Sequence, residues 1–137
     1  MTYIFFQALI FISCIIGYGA VITIDTAGLF WILKKRSMDF VYSMTGITQP
    51  LIWIGWTGIT CGILGLLLFT PLTPLITYQL ILLGILGLNG IYLQTIKKRL
   101  NLKNLDQKLP IFSMFLATVI SQTSWITFLT LQFIHTL

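Results

Sequence analysis

Asp25 is the residue of this 137-residue sequence that is best placed for chemistry, because it is the one charged side chain in the apolar run from Tyr3 to Leu33. A carboxyl group in such surroundings either carries a proton or needs hydrogen-bond donors around it. It could bind and release a proton or a small cation, or it could be a structural group that hydrogen-bonds to neighbouring segments. The structural alternative is favoured, since no basic residue lies within the apolar runs to pair with Asp25.

A second set of polar residues is expected at a similar depth. Asp25 lies nine residues before the basic cluster that starts at Lys34, and Asn89 lies eight residues before the one that starts at Lys97. If both segments are helical, the amide of Asn89 is the natural partner of Asp25. In the last apolar run, Ser113, Ala117, Ser121 and Ser124 are spaced so that they share one face of a helix, with Trp125 beside it. This face consists of small residues, most of them polar. Such faces usually mark close helix contacts rather than a pore. We predict one buried polar cluster of Asp25, Asn89, Ser121, Ser124 and Trp125.

The residues that enzymes and cofactor sites usually require are sparse. The one histidine is His135, so no pair of helix histidines is available to ligate a haem, and Cys14 and Cys61 lie in separate apolar runs. No glycine-rich phosphate loop, paired carboxylates or Ser–His pair is recognisable. We therefore expect a protein that is not an enzyme and has no metal site and no cofactor.

The composition indicates what surrounds these residues. Hydrophobic residues make up 57% of the sequence and charged residues 8%, and the mean hydropathy is +0.97. A soluble domain carries roughly 25% charged residues to cover its surface. The apolar runs do not alternate with polar residues, which favours membrane-spanning helices over a β-barrel. We predict an integral membrane protein in contact with the lipid bilayer.

Four transmembrane helices are predicted in a single all-α domain over residues 1–137, arranged as an up-down bundle with short connections. Pro50 and Pro110 are expected in the first turns of the second and fourth helices, where a missing N–H costs little. The two prolines of the segment 70–74 predict a tight turn. The helices are expected at about 3–33, 50–69, 75–96 and 110–134.

The basic residues predict the orientation. They occur only in the first and third predicted connections, at Lys34, Lys35, Arg36, Lys97, Lys98, Arg99, Lys103 and Lys108. By the positive-inside rule these connections lie in the cytoplasm and both termini lie outside, most simply in a bacterial inner membrane. The formal net charge is +5, but the basic residues are not interleaved with aromatic residues along one groove, so no nucleic-acid partner is expected.

The second predicted helix contains a glycine pattern. Gly58 and Gly62 lie four residues apart, with Gly55 and Gly65 on neighbouring turns. Glycines at this spacing let two helix backbones approach closely. The pattern predicts helix packing, either within one chain or between the two copies of a homodimer.

Four short segments carry a further signal. They contain Asp25 in the first helix, Trp53-Ile54-Gly55 early in the second, Asn89-Gly90 in the third, and Ser121 with Ser124-Trp125 in the fourth. In these segments the sequence resembles a group of uncharacterised bacterial four-helix integral membrane proteins. The resemblance implies that these residues act together as one polar cluster, and it implies no particular activity.

Two functions are consistent with these features. The leading hypothesis is a non-enzymatic membrane protein, a small subunit or accessory factor of a membrane complex, whose polar cluster around Asp25 is structural. It implies a membrane-protein partner or a homodimer. The alternative is a small proton- or cation-coupled transporter that uses Asp25 as the carrier.

Overall fold

The computed structural model describes residues 1–102 and 111–136, and this part of the chain is all-α. Its helices are α1 (Thr2–Ile32), α2 (Met38–Leu67), α3 (Pro74–Leu102) and α4 (Ile111–Thr136). All four helices are long and apolar enough to cross a membrane, which confirms the predicted fold class at this level. The chain forms two compact units, Met1–Ile76 with α1 and α2, and Thr77–Leu137 with α4 and most of α3.

α1 ends in a left-handed turn at the first basic cluster. The backbone N–H of Lys34 donates to the Trp31 carbonyl at 2.9 Å, and that of Lys35 donates to the Phe30 carbonyl at 2.9 Å. Together these bonds form a Schellman motif, which satisfies carbonyl groups at the helix end. Lys34 occupies the position that is usually glycine, with a φ of 56°. The turn therefore stops α1 without a glycine.

α2 begins at Met38, well before the expected start at residue 50, and Pro50 lies inside the helix. The prediction that Pro50 opens this helix is therefore wrong. The Ser37 hydroxyl caps the true N-terminus by accepting the Phe40 N–H at 3.4 Å. Asp39 lies in the first turn, where a negative charge is favourable. Pro50 removes one backbone donor, but the turns on both sides of it keep the helix continuous.

The turn between α2 and α3 occupies residues 68–73. The Thr73 hydroxyl accepts the Ile76 N–H at 3.3 Å, so Thr73 acts as the N-cap of α3. Pro74 follows in the first turn, where its missing N–H has no helical partner to lose.

α3 runs to Leu102, past the expected end at residue 96. Lysine and arginine favour helix, and no glycine or proline lies between Lys97 and Leu102, so the helix continues through the first basic residues. α4 starts at Ile111, and Pro110 lies outside the described residues, as do Lys103 and Lys108.

Four glycines bring α2 against α1, and we refer to Gly55, Gly58, Gly62 and Gly65 as the glycine seam. A Cβ added at Gly55 would lie 2.6 Å from the Gly17 Cα and 2.8 Å from the Ser13 carbonyl oxygen. At the other three positions it would collide with the side chains of Ser13, Ile10 and Phe6 respectively. From Gly55 to Gly65 the contacted residues of α1 run in the opposite direction along the sequence, from Gly17 back to Phe6. The two helices are therefore antiparallel. Gly58 and Gly62 thus pack within one chain.

The outward surface of the helices is apolar. Large hydrophobic side chains such as Phe11, Ile54, Leu88 and Phe115 are more than half exposed. Only 28–33% of the residues in the most apolar window of each helix are buried. A helix in a water-soluble bundle places polar residues opposite its buried stripe. Here leucine, isoleucine and phenylalanine occupy that position, which suits a surrounding of lipid.

Candidate functional site

Asp25 lies on a partly buried face of α1. On this face Cys14 and Val21 are buried, whereas Tyr18 and Gly28 are half-buried, as is Asp25 itself. A Cβ added at Gly28 would meet no atom within 4 Å, so there is open space one turn away from the carboxyl group. Asp25 is therefore neither enclosed in the core nor fully exposed.

Asn89 joins α3 to α4 in the second unit. Its side-chain nitrogen donates to the Ala117 carbonyl oxygen at 2.9 Å, and the residue is half-buried. A primary amide has two N–H groups and a carbonyl oxygen, so one such bond does not use its full capacity. The expected bond between Asn89 and Asp25 stays a prediction, because Asp25 belongs to the first unit.

The small-residue face of α4 is the buried face of that helix. Ser121, Ser124 and Ala117 are buried, and Trp125 is only 1% exposed. Ala117, which accepts the Asn89 amide, lies one turn before Ser121. The second unit therefore places Asn89 close to the serine and tryptophan face, while Asp25 lies in the first unit.

A buried amide pair, missed at the level of sequence, connects α3 and α4. The Gln79 side-chain nitrogen donates to the side-chain oxygen of Gln132 at 3.0 Å, and each residue is 3% exposed. The sequence contains a signal that predicts this pair, because Gln79 lies five residues after the start of α3 and Gln132 lies four residues before the end of α4. In two antiparallel helices these two positions lie at about the same height along the helix axes. The same depth argument that linked Asp25 with Asn89 would have found this pair.

A third polar bridge connects the same two helices. The Tyr92 phenol donates to the Ser113 hydroxyl at 3.0 Å. With the bonds of Gln79 and Asn89, α3 and α4 are hydrogen-bonded at three levels. In an apolar surrounding such bonds hold two helices in register, since a polar group that leaves its partner finds no water.

The remaining polar side chains in the helices mostly satisfy themselves. In the described part of the chain, nine helix threonines and Thr70, just after α2, donate their hydroxyls to the backbone carbonyl four residues earlier, at 2.7–2.9 Å. Among the side chains that the structure describes, no fully buried nitrogen or oxygen lacks a hydrogen-bond partner. These threonine hydroxyls and the fully buried polar atoms are thus bonded within the chain itself.

Groups for metal or redox chemistry are not assembled in the described part of the chain. Cys14 is buried and Cys61 exposed, and both are free thiols. Within the described ranges no three His, Cys, Asp or Glu side chains come together in a way that could hold a metal ion.

The basic residues lie at helix ends. Lys34, Lys35 and Arg36 are exposed in the turn between α1 and α2. Near the end of α3, Lys97 is half-buried and Lys98 exposed, and the side chain of Arg99 lies outside what the structure describes.

No protein-family model, curated protein or solved structure matches the chain. The class is therefore defined by the fold alone, in which four candidate membrane-spanning helices indicate a multi-pass membrane protein. Membership of the bacterial four-helix group stays a prediction.

Proposed function

We propose that this chain is a non-enzymatic integral membrane protein that serves as a small subunit or accessory factor of a membrane complex. The observation that carries the proposal is the use of its polar groups. Every fully buried polar side-chain atom in the described residues has a partner, and the three bridges between α3 and α4 are internal. Polar groups that are bonded within the chain hold helices together and are not set apart for a substrate.

The apolar exterior supports the second half of this proposal. The glycine seam is occupied by α1, so a partner would bind through the outward faces of leucine, isoleucine and phenylalanine. Transmembrane helices associate through such faces by close packing, with lipid as the competing neighbour. The partner is a second membrane protein or a second copy of this chain.

The direct experiment is a mass measurement of the protein extracted from its native membrane in a mild detergent. A complex, either homodimeric or with a co-purifying membrane protein, is expected. A monomeric particle without a partner, in a detergent that preserves known complexes of the same membrane, would contradict the proposal.

The alternative function, a proton- or cation-coupled transporter, has one observation in its favour. Asp25 is half-buried in the apolar helix α1, with open space beside Gly28. A carboxyl group at such a depth is a typical carrier of protons or cations.

Replacing Asp25 distinguishes the two functions. If Asp25 is the carrier, Asp25→Asn abolishes ion-coupled flux in proteoliposomes and leaves the melting temperature almost unchanged. If Asp25 is structural, the same variant lowers the melting temperature or the yield of the complex. Asp39→Asn is the control for charge, because it removes an equal charge from an exposed position. It should leave the flux unchanged and lower the melting temperature only by the small loss of a favourable charge at the start of α2.

The proposed location is a bacterial inner membrane, with the basic connections in the cytoplasm and both termini outside. The positions of Lys34 to Arg36 and of Lys97 and Lys98 at helix ends support this orientation.

A further inference from the structure

The turn between α1 and α2 presents three consecutive cations. Lys34, Lys35 and Arg36 are all exposed, and the acidic residue nearest to them in the sequence is Asp39, in the first turn of α2. Three positive charges against one negative charge leave the turn with a charge of +2. Such a concentration of charge attracts anions within a Debye length of about 8 Å at physiological salt.

The cations are held on an ordered backbone. The N–H groups of Lys35 and Arg36 both donate to the Phe30 carbonyl, at 2.9 and 3.3 Å. The Arg36 guanidinium lies 5.3 Å from the centre of the Phe40 ring, within range of a cation–π interaction. Less conformational freedom of the backbone and of the Arg36 side chain is then lost when the turn binds an anion.

The surface next to the cations is apolar. The last turns of α1 expose Leu29, Ile32 and Leu33, which are 52–53% exposed. A ligand at this position therefore meets aliphatic side chains and, directly beyond them, positive charge. An anionic phospholipid has the matching chemistry, with acyl chains next to its phosphate.

We propose that the α1–α2 turn binds the headgroup of an anionic phospholipid, with Lys35 and Arg36 at the phosphate and the acyl chains along Leu29, Ile32 and Leu33. Arginine suits this role because its guanidinium forms two parallel hydrogen bonds to a phosphate group. The inference rests on the membrane location proposed above.

The test is a titration of the purified full-length protein, in a neutral detergent, with phosphatidylglycerol or phosphatidylcholine, read out by native mass spectrometry. Lys35→Gln/Arg36→Gln should weaken phosphatidylglycerol binding roughly 30-fold, and phosphatidylcholine binding should not change. Lys97→Gln/Lys98→Gln is the matched control, because it removes the same charge elsewhere and should change the affinity less than about twofold.

Each of the following results would overturn the proposal. Equal loss in both double variants would assign the effect to net charge, and no loss in the first would remove the site. Inhibition of lipid binding by inorganic phosphate at the lipid's own concentration would assign the turn to free anions. If Lys35→Gln/Arg36→Gln does not fold, the test is the salt dependence of phosphatidylglycerol binding to the wild-type protein. Salt weakens the attraction between exposed charges, so binding that is insensitive to high salt would exclude a headgroup held by these cations.

Extraction of membranes with alkaline carbonate separates this inference from the proposed function. A protein that stays in the membrane but does not prefer phosphatidylglycerol contradicts the lipid site alone. A protein released by carbonate contradicts both.

Discussion

The amide groups of Gln79 and Gln132 bind each other between α3 and α4, and removal of either one leaves the other buried without this bond. Gln79→Leu or Gln132→Leu alone should destabilise the protein by about 1–3 kcal/mol, because a buried amide loses the hydrogen bond between the two side chains. The double variant should be less destabilised than the sum of the two, with a coupling energy of about 1 kcal/mol.

The measurement is a double-mutant cycle of unfolding in mixed micelles of mild detergent and dodecyl sulfate. Additive effects of the two substitutions would show that the hydrogen bond contributes nothing to stability.

Lys34 is a single residue in a backbone conformation that favours glycine, with a φ of 56°. A residue with a Cβ pays about 1–2 kcal/mol for this conformation. Lys34→Gly should therefore raise the free energy of unfolding by about 1 kcal/mol relative to Lys34→Ala. Both variants remove the same charge, so their difference isolates the backbone effect. Equal stability of the two in the unfolding titration would contradict the left-handed turn.

At the level of the helices, the packing of α2 against α1 depends on which atoms of α1 face each glycine of α2. A Cβ at Gly55 would press on the backbone of Gly17 and Ser13, which cannot move aside, whereas at Gly65 it would press on the Phe6 ring, which can rotate. Gly55→Ala should destabilise the protein by about 1–3 kcal/mol, and Gly65→Ala by less.

Gly84→Ala is the control for these variants. A Cβ at Gly84 would meet nothing within 4 Å, and alanine favours helix by about 1 kcal/mol over glycine. This variant should be neutral or more stable in the same unfolding titration. A loss as large as that of Gly55→Ala would show that the glycine seam is not special.

Helices are predictable from this sequence where the apolar run is continuous, and less so where proline interrupts the pattern. Pro50 resembles a helix start because proline suits a first turn. The structure places the start at Met38, where Ser37 and Asp39 supply a cap and a favourable charge. Both signals are present in the sequence, but the proline beside the long apolar run is the more conspicuous sign of a helix start. Membrane helices also tolerate an internal proline more readily than soluble ones.

The candidate site could be predicted only in part, because spacing reveals faces but not partners. The periodicity of Ser121, Ser124 and Trp125 indicates one face, and the structure buries that face. The acceptor of the Asn89 amide is the Ala117 carbonyl, which no residue pattern marks, since every residue has a carbonyl group.

For the whole molecule, the distribution of basic residues predicts a single orientation. Alkaline phosphatase fused after Leu137 should be active in a bacterial host, because the proposed orientation exports the C-terminus. Green fluorescent protein at the same position should remain dark. A fluorescent fusion together with an inactive phosphatase fusion would show that the C-terminus is cytoplasmic, which contradicts the proposed orientation. Activity of both fusions would indicate dual insertion.

The threonines of α4 also affect how its surface is described. The most apolar 18-residue stretch of α4 has a mean hydropathy of 1.4, the lowest of the corresponding stretches in the four helices, and α4 contains exposed Thr123, Thr127 and Thr130. Their hydroxyls donate to the helix's own carbonyls at 2.7–2.9 Å. A neighbouring acyl chain would therefore meet methyl groups much like those of valine. A hydropathy scale that counts each threonine as a free alcohol underestimates the affinity of α4 for oil, and Thr→Val substitutions here should leave membrane insertion almost unchanged.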